Sequence, residues 1–182
     1  MSNVPTPSVE EAPAQSRPLL AQVDQRLGAV PNFYRVVSNS PAALQAVLGF
    51  QTALQSGALD GLVAERIALT VAEVNGCDYC LSAQTYRTRK AGLLDDAEIT
   101  ANRNGASNDI TVDAALRFAK KLARERGHVT EFDVADVKRA GYSDAEVVEI
   151  IAHVALNVFT NFINEALMTE IDFPKIGTRR ST

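Results

Sequence analysis

The sequence predicts an all-α, single-domain bundle of about seven or eight helices, and three observations lead there. No stretch sustains the two-residue apolar alternation of a half-buried strand. Helix starts (Ser40-Pro41, Asp60, Ser143-x-x-Glu146) and stops (Gly28, Gly57, Gly92, Gly127, Gly141) recur at helical lengths. The chain has 182 residues and 46% hydrophobic content, enough for one substantial core, and no linker composition divides it.

Residues 1 to about 17 are rich in Pro, Ser, Glu and Ala and are expected as a flexible or loosely docked N-terminal tail, ahead of one domain over 18–182. Pro18 opens a short helix carrying Leu19, Leu20, Val23 and Leu27, which Gly28 stops. Pro31 and Pro41 punctuate the next stretch, and Ser40 caps a helix that runs to about Ser56. Asp60 caps a helix over about 61–74, stopped by Asn75-Gly76. Another runs from near Cys77 to Gly92, and a short one from near Asp95 to Asn102. Asn108 or Asp109 begins a helix that Gly127 ends, and Thr130 caps one that ends before Gly141. The last helix begins at the capping box Ser143-x-x-Glu146 and runs to about Met168.

Charge and composition narrow the function classes. Charged residues make up 22% and the formal net charge is −4, which argues against nucleic acid. Unbroken apolar runs are too short to span a bilayer. The opening MSNVPTPSVEEAPAQSRP has no apolar stretch of the signal-peptide kind, so a reducing cytoplasm is the expected setting. The two cysteines are three residues apart, unlike the spread pairs of a secreted disulfide framework.

Residues 62–74, LVAERIALTVAEV, are apolar enough to predict a central, mostly buried helix. Arg66, Thr70 and Glu73 fall in one narrow arc of it. Glu65 lies outside that arc among Leu62, Leu69 and Ala72. A carboxyl there is either desolvated and tuned for proton transfer, or paired with an arginine from elsewhere.

The segment NGCDYCLSAQTYRTRKAG carries the chemistry. Cys77 and Cys80 lie on one face at a helix N-terminus, where amides favour a thiolate. A low-pKa thiol beside a resolving thiol suits peroxide reduction and disulfide exchange. Gln84 lies one turn beyond Cys80 and can hydrogen-bond but cannot take up a proton. Arg87, Arg89 and Lys90 complement the helix C-terminus. Zinc would need about four ligands, and His128 and His153 have no finger-like spacing to the cysteines. Inert core cysteines are the plainer alternative.

Glu65, eleven intervening residues, Cys77-Asp78-Tyr79-Cys80 and position 84 together resemble the signature of the AhpD-like alkylhydroperoxidases of the carboxymuconolactone decarboxylase superfamily. The core pattern covers about 40–125, and HVALNVFTNFINEALMTEIDFPKI resembles the peroxidase-related members. The resemblance implies an AhpD-like all-helical fold without metal, haem or other cofactor. It implies a homo-oligomer, trimer or hexamer, with a dimer as the alternative. It gives Cys80 the attack on hydrogen peroxide or an organic hydroperoxide, Cys77 the resolving role and Glu65 a place in a proton relay. A dithiol donor, lipoylated or thioredoxin-like, would restore the thiols.

The family has histidine where this chain has Gln84, and a positioned base is worth about 10²–10⁴-fold. The competing expectation is therefore a non-catalytic oligomeric or small-molecule-binding protein of the same fold. His153, on a stripe with Asn157, Asn161 and Asn164, is the candidate replacement base; the stripe could equally be an oligomer interface or a satisfied core network. In a plain hairpin Glu65 would fall of order 10 Å short of Cys80, with Glu73 nearer, so Glu65 is selected by family spacing.

Overall fold

Side-chain oxygens at the N-caps accept the free amides that open their helices. Ser40 accepts from Ala43, Asp60 from Leu62 and Val63, Asp95 from Glu98, and Asp109 from Thr111 and Val112. Thr130 and Ser143 both form reciprocal capping boxes, with Asp133 and Glu146. In a computed structural model that describes residues 2–179, the described residues form nine helices and no strand. They are α1 (Arg17–Leu27), α2 (Asn32–Val37), α3 (Pro41–Gln55), α4 (Gly61–Asn75) and α5 (Asp78–Lys90), followed by α6 (Asp96–Arg103), α7 (Ile110–Arg124), α8 (Glu131–Arg139) and α9 (Asp144–Leu167).

The all-α expectation holds, and the unforeseen ninth helix is α2. Its six residues follow Pro31 and are too few to show a period. It is held by burial of Phe33, Tyr34, Val36 and Val37. Of the two alternatives for the N-terminal segment, residues 2–16 take the docked one, along the bundle. Arg35 donates to the carbonyls of Pro7 and Thr6 at 2.8 and 2.9 Å, and Asn39 to that of Pro5 at 2.8 Å. Ala12 and Ser16 are fully buried. Backbone carbonyls supply most of this grip, so composition gave no sign of it.

Helix α4 is central and packs on α5, α6, α7 and α9. Ile67, Leu69 and Val71 are wholly buried, each contributing roughly 1.5–3 kcal/mol of transfer free energy. The polar arc of α4 faces α6. Arg66 pairs with Glu98 at 2.7 Å, Thr70 donates to the Asn102 carbonyl at 2.7 Å, and Arg103 pairs with Glu73 at 2.8 Å.

Helix α9 is long and apolar enough, by length and composition, to cross a membrane. In this fold one side of it, including Val147, Ile150, Val154 and Leu156, is buried, and it packs on α3, α4, α5 and α7. Its other face leaves Val148, Ile151, Phe159 and Phe162 exposed. After α9 the chain returns over α5. There the Ile176 amide donates to Ser82 at 2.9 Å, the Thr178 amide donates to Asp78 at 2.8 Å, and Phe173 meets the Tyr79 ring edge-on.

Candidate functional site

The turn between α4 and α5 builds the cysteine site. Gly76 has φ 73°, a left-handed conformation that glycine adopts without steric cost. It lets the Cys77 amide donate back to the Ala72 carbonyl at 3.0 Å, closing α4 in a Schellman-type turn. Cys77 is thereby delivered to the N-cap of α5, where its sulfur accepts from the Cys80 amide at 3.2 Å. Cys77 and Cys80 are joined as a disulfide, with Cα atoms 5.3 Å apart. Cys77 is 0% exposed, whereas Cys80 is half-buried. The two sulfurs therefore differ in access, and Cys80 is the one a small solute can reach.

The antiparallel α4–α5 hairpin places Glu65 opposite Gln84 and Arg87. The Gln84 amide donates to the Glu65 carboxylate and, at 3.4 Å, to its main-chain carbonyl. Arg87 donates to the same carboxylate at 3.0 Å and to the Gln84 Oε1 at 2.6 Å. Glu65, Gln84 and Arg87 thus form a closed cluster one turn of α5 from Cys80. Among the described residues no hydrogen bond joins Glu65 or Gln84 to either sulfur, so part of the gap expected from hairpin geometry remains. Glu73, nearer by that geometry, points instead to Arg103 and accepts the Arg179 amide at 2.9 Å.

Two sequence readings change here. The Glu65 side chain is 32% exposed and ion-paired, so the arginine-paired alternative holds. Arg87, assigned only to the helix dipole, is its partner. The signal that could have found it is spacing: Glu65 and Arg87 lie eleven positions either side of Gly76.

Helix α9 supplies the group that touches sulfur. The Asn164 amide donates to Cys80 Sγ at 3.2 Å, while Asn164 is itself 4% exposed and its Oδ1 is buried without a partner. One turn earlier, fully buried Asn161 accepts from Asn75 at 2.8 Å, and its own Nδ2 is unpartnered. Asn157 donates to the His153 carbonyl. His153, the candidate replacement base, precedes Asn164 by eleven residues, about 16 Å along the helix. Its Nε2 is buried and unpartnered. Burial lowers the imidazole pKa, and the charges of Glu149 and Glu65 offset this in part. His153 therefore stands toward the Glu65 end of the site, away from the sulfur. Among the described residues no three of His, Cys, Asp and Glu converge as metal ligands.

The geometry has counterparts. The model of the carboxymuconolactone decarboxylase family matches residues 41–125. A solved structure of an alkylhydroperoxidase AhpD core, a peroxidase-related protein from Ralstonia eutropha JMP134, is similar at 23% identity and a TM-score of 0.81, covering 94% of this chain and 92% of that one. A peroxidase-related protein from Silicibacter sp. TM1040 is similar at 22% identity and a TM-score of 0.80, covering 93% and 91%. The debrominase Bmp8 is similar at 24% identity and a TM-score of 0.73, covering 87% of each chain. No curated protein matches the sequence. At these identities the solved structures speak for the fold.

Proposed function

We propose that the chain, which matches the carboxymuconolactone decarboxylase family over residues 41–125 and has the AhpD-like fold, is a cysteine-based peroxidase of that superfamily acting through Cys80 and Cys77. The observation that carries the reading is the asymmetry of the sulfur pair, with reachable Cys80 bonded to buried Cys77 at a helix N-terminus.

In the first step the Cys80 thiolate attacks one oxygen of hydrogen peroxide or an organic hydroperoxide. An S–O bond forms and the O–O bond breaks. The departing oxygen takes a proton and leaves as water or alcohol, and Cys80 becomes a sulfenic acid. Cys77, as thiolate, then attacks the Cys80 sulfur. The S–S bond forms, the S–O bond breaks, and hydroxide leaves as water after protonation. A dithiol donor of the lipoylated or thioredoxin-like class reduces the disulfide and becomes a disulfide itself. A reducing cytoplasm is the setting this donor requires.

Glu65 and Arg87 frame the proton route, and Gln84 orients a water on it, because an amide has no proton to exchange at ordinary pH. That property favours a second reading, in which the fold persists and turnover is lost. We further propose a homo-oligomer, trimer or hexamer, built on the exposed apolar face of α9. Light scattering should then return a multiple of the 19.6 kDa chain.

The deciding experiment follows free thiols after one equivalent of peroxide is added to the reduced protein, across pH. Rapid loss of both thiols, with no disulfide product in Cys80→Ser, supports the peroxidase. A reaction no faster than that of a free thiol supports the second reading. Because Bmp8 is a debrominase, a brominated pyrrole serves as the alternative substrate in the same assay.

A further inference from the structure

We infer that Asn164 is a catalytic residue of this site, its side-chain amide holding the Cys80 sulfur as a thiolate and its free carbonyl receiving the hydrogen of the sulfenic acid. The inference deepens the peroxidase reading and rests on it for the second half only. Three observations carry it. Asn164 Nδ2 meets Cys80 Sγ at 3.2 Å, within the range of a hydrogen bond to sulfur. The residue is 4% exposed, so the contact is shielded from competing water. Its Oδ1 is buried with no partner, and a buried acceptor left empty calls for a donor that the disulfide state does not supply.

A sulfenic acid is such a donor. In the reduced protein the N–H group faces a thiolate, and after oxidation the S–O–H group can donate to the waiting carbonyl. One neutral side chain therefore serves both states without a proton changing owner. The main-chain carbonyl of Asn164 closes the end of α9, accepting from the Met168 and Thr169 amides, whereas the partner of its side chain is the reactive sulfur. Of the titratable or charged groups on the elements packed here, Asp78 and Arg87 lie on α5 beyond its N-cap Cys77, Glu65 lies on α4, and His153 and Glu165 lie on α9, with Glu65, Arg87 and His153 away from the sulfur. Asn164 adds a donor without adding a charge.

The test isolates Cys80 in a Cys77→Ser background and reads its thiol pKa from the pH dependence of iodoacetamide alkylation. A hydrogen bond to a charged group is worth about 1.5–3 kcal/mol, and one pKa unit is 1.36 kcal/mol. Asn164→Leu, which keeps the branching at Cγ and removes the donor, should therefore raise the Cys80 pKa by about one to two units. Alkylation at neutral pH should slow by about tenfold or more. Should the Leu variant fail to fold by circular dichroism, Asn164→Asp keeps the shape, replaces the donor with an anion, and should raise the pKa further. An unchanged pKa in a folded variant overturns the inference. A raised pKa together with no peroxide reaction in the unmutated protein upholds the thiolate contact and sinks the peroxidase reading, so the two failures are distinct.

Discussion

Replacing Gln84 by histidine tests whether the site lacks only a base. The introduced imidazole would occupy the slot between the Glu65 carboxylate and the Arg87 guanidinium, where Gln84 now bonds both. At about 4 Å and an effective dielectric of about 20, each charge acts on an imidazolium with about 4 kcal/mol, and the two have opposite sign. Arg87 is half exposed, so solvent reduces its share further. Burial of position 84, only 7% exposed, opposes the surplus attraction of Glu65 and leaves the imidazole close to its ordinary pKa of about 6.5. It would be neutral, and able to accept a proton, above that pH. Position 84 is one helical turn from Cys80 and works through water, so the gain should lie at the low end of the range for base catalysis, about 10²-fold. Stopped-flow reaction of the reduced Gln84→His protein with hydrogen peroxide, from pH 5 to 9, reads this directly. The expected curve rises through about pH 6.5 to a plateau about 100-fold above the parent. A folded variant with less than a threefold gain and no new inflection would refute the argument that proton transfer at position 84 limits the reaction.

Two other predictions concern stability. Burial pushes the Glu98 carboxyl up, but hydrogen bonds from Ser107, Asn102 and the Asn108 amide, with the Arg66 charge, outweigh it and hold it below its ordinary value. Its contribution is then complete above the ordinary glutamate range and is lost as pH falls through the lowered folded value. Glu98→Gln should cost about 3–5 kcal/mol in urea unfolding at pH 7 and much less at pH 3.5; an equal loss at both would contradict the linkage. Arg35→Ala removes both of its bonds to the N-terminal segment and should speed proteolytic cleavage before Ala12 by about tenfold at a stability cost of about 1–3 kcal/mol. Cleavage at the parent rate would show that the segment is held by other contacts.

Helix boundaries were legible where a single side chain decides them. Ser40, Asp60, Thr130 and Ser143 cap the helices they were expected to cap, Asp109 rather than Asn108 caps α7, and Gly28 and Gly76 take the left-handed turns that end α1 and α4. Helix α2 was hidden because six residues cannot display a 3.6-residue period, so tertiary burial alone defines it. How firmly the N-terminal segment docks was hidden because main-chain carbonyls make its bonds, and they are the same in every sequence. At the site, local spacing could give Cys77, Cys80 and Gln84 one face. It could not show that Arg87 turns back to Glu65, nor which member of the α9 stripe reaches the sulfur. The stripe suggested His153 by its chemistry, but Asn164 makes the contact by its height on the helix. Height is fixed by how α9 packs on α4 and α5, and periodicity within α9 carries no information about that register.

The first described residues also complete the last helix. The Asn3 amide donates to the Leu167 carbonyl at 2.7 Å, its side chain donates to Ala166 at 3.1 Å, and the Glu170 amide donates to Ser2 at 3.2 Å. The two bonds from Asn3 satisfy carbonyls that a helix end leaves open. They also join positions more than 160 apart in sequence, contacts of the kind that slow folding. A chain made from its N-terminus leaves the ribosome at about 5–20 residues per second, so residues 2 and 3 must wait roughly ten seconds or more for α9 to appear. Closure of this seam therefore waits until α9, which carries Asn164, has been made, and the helix acquires its final turn only then.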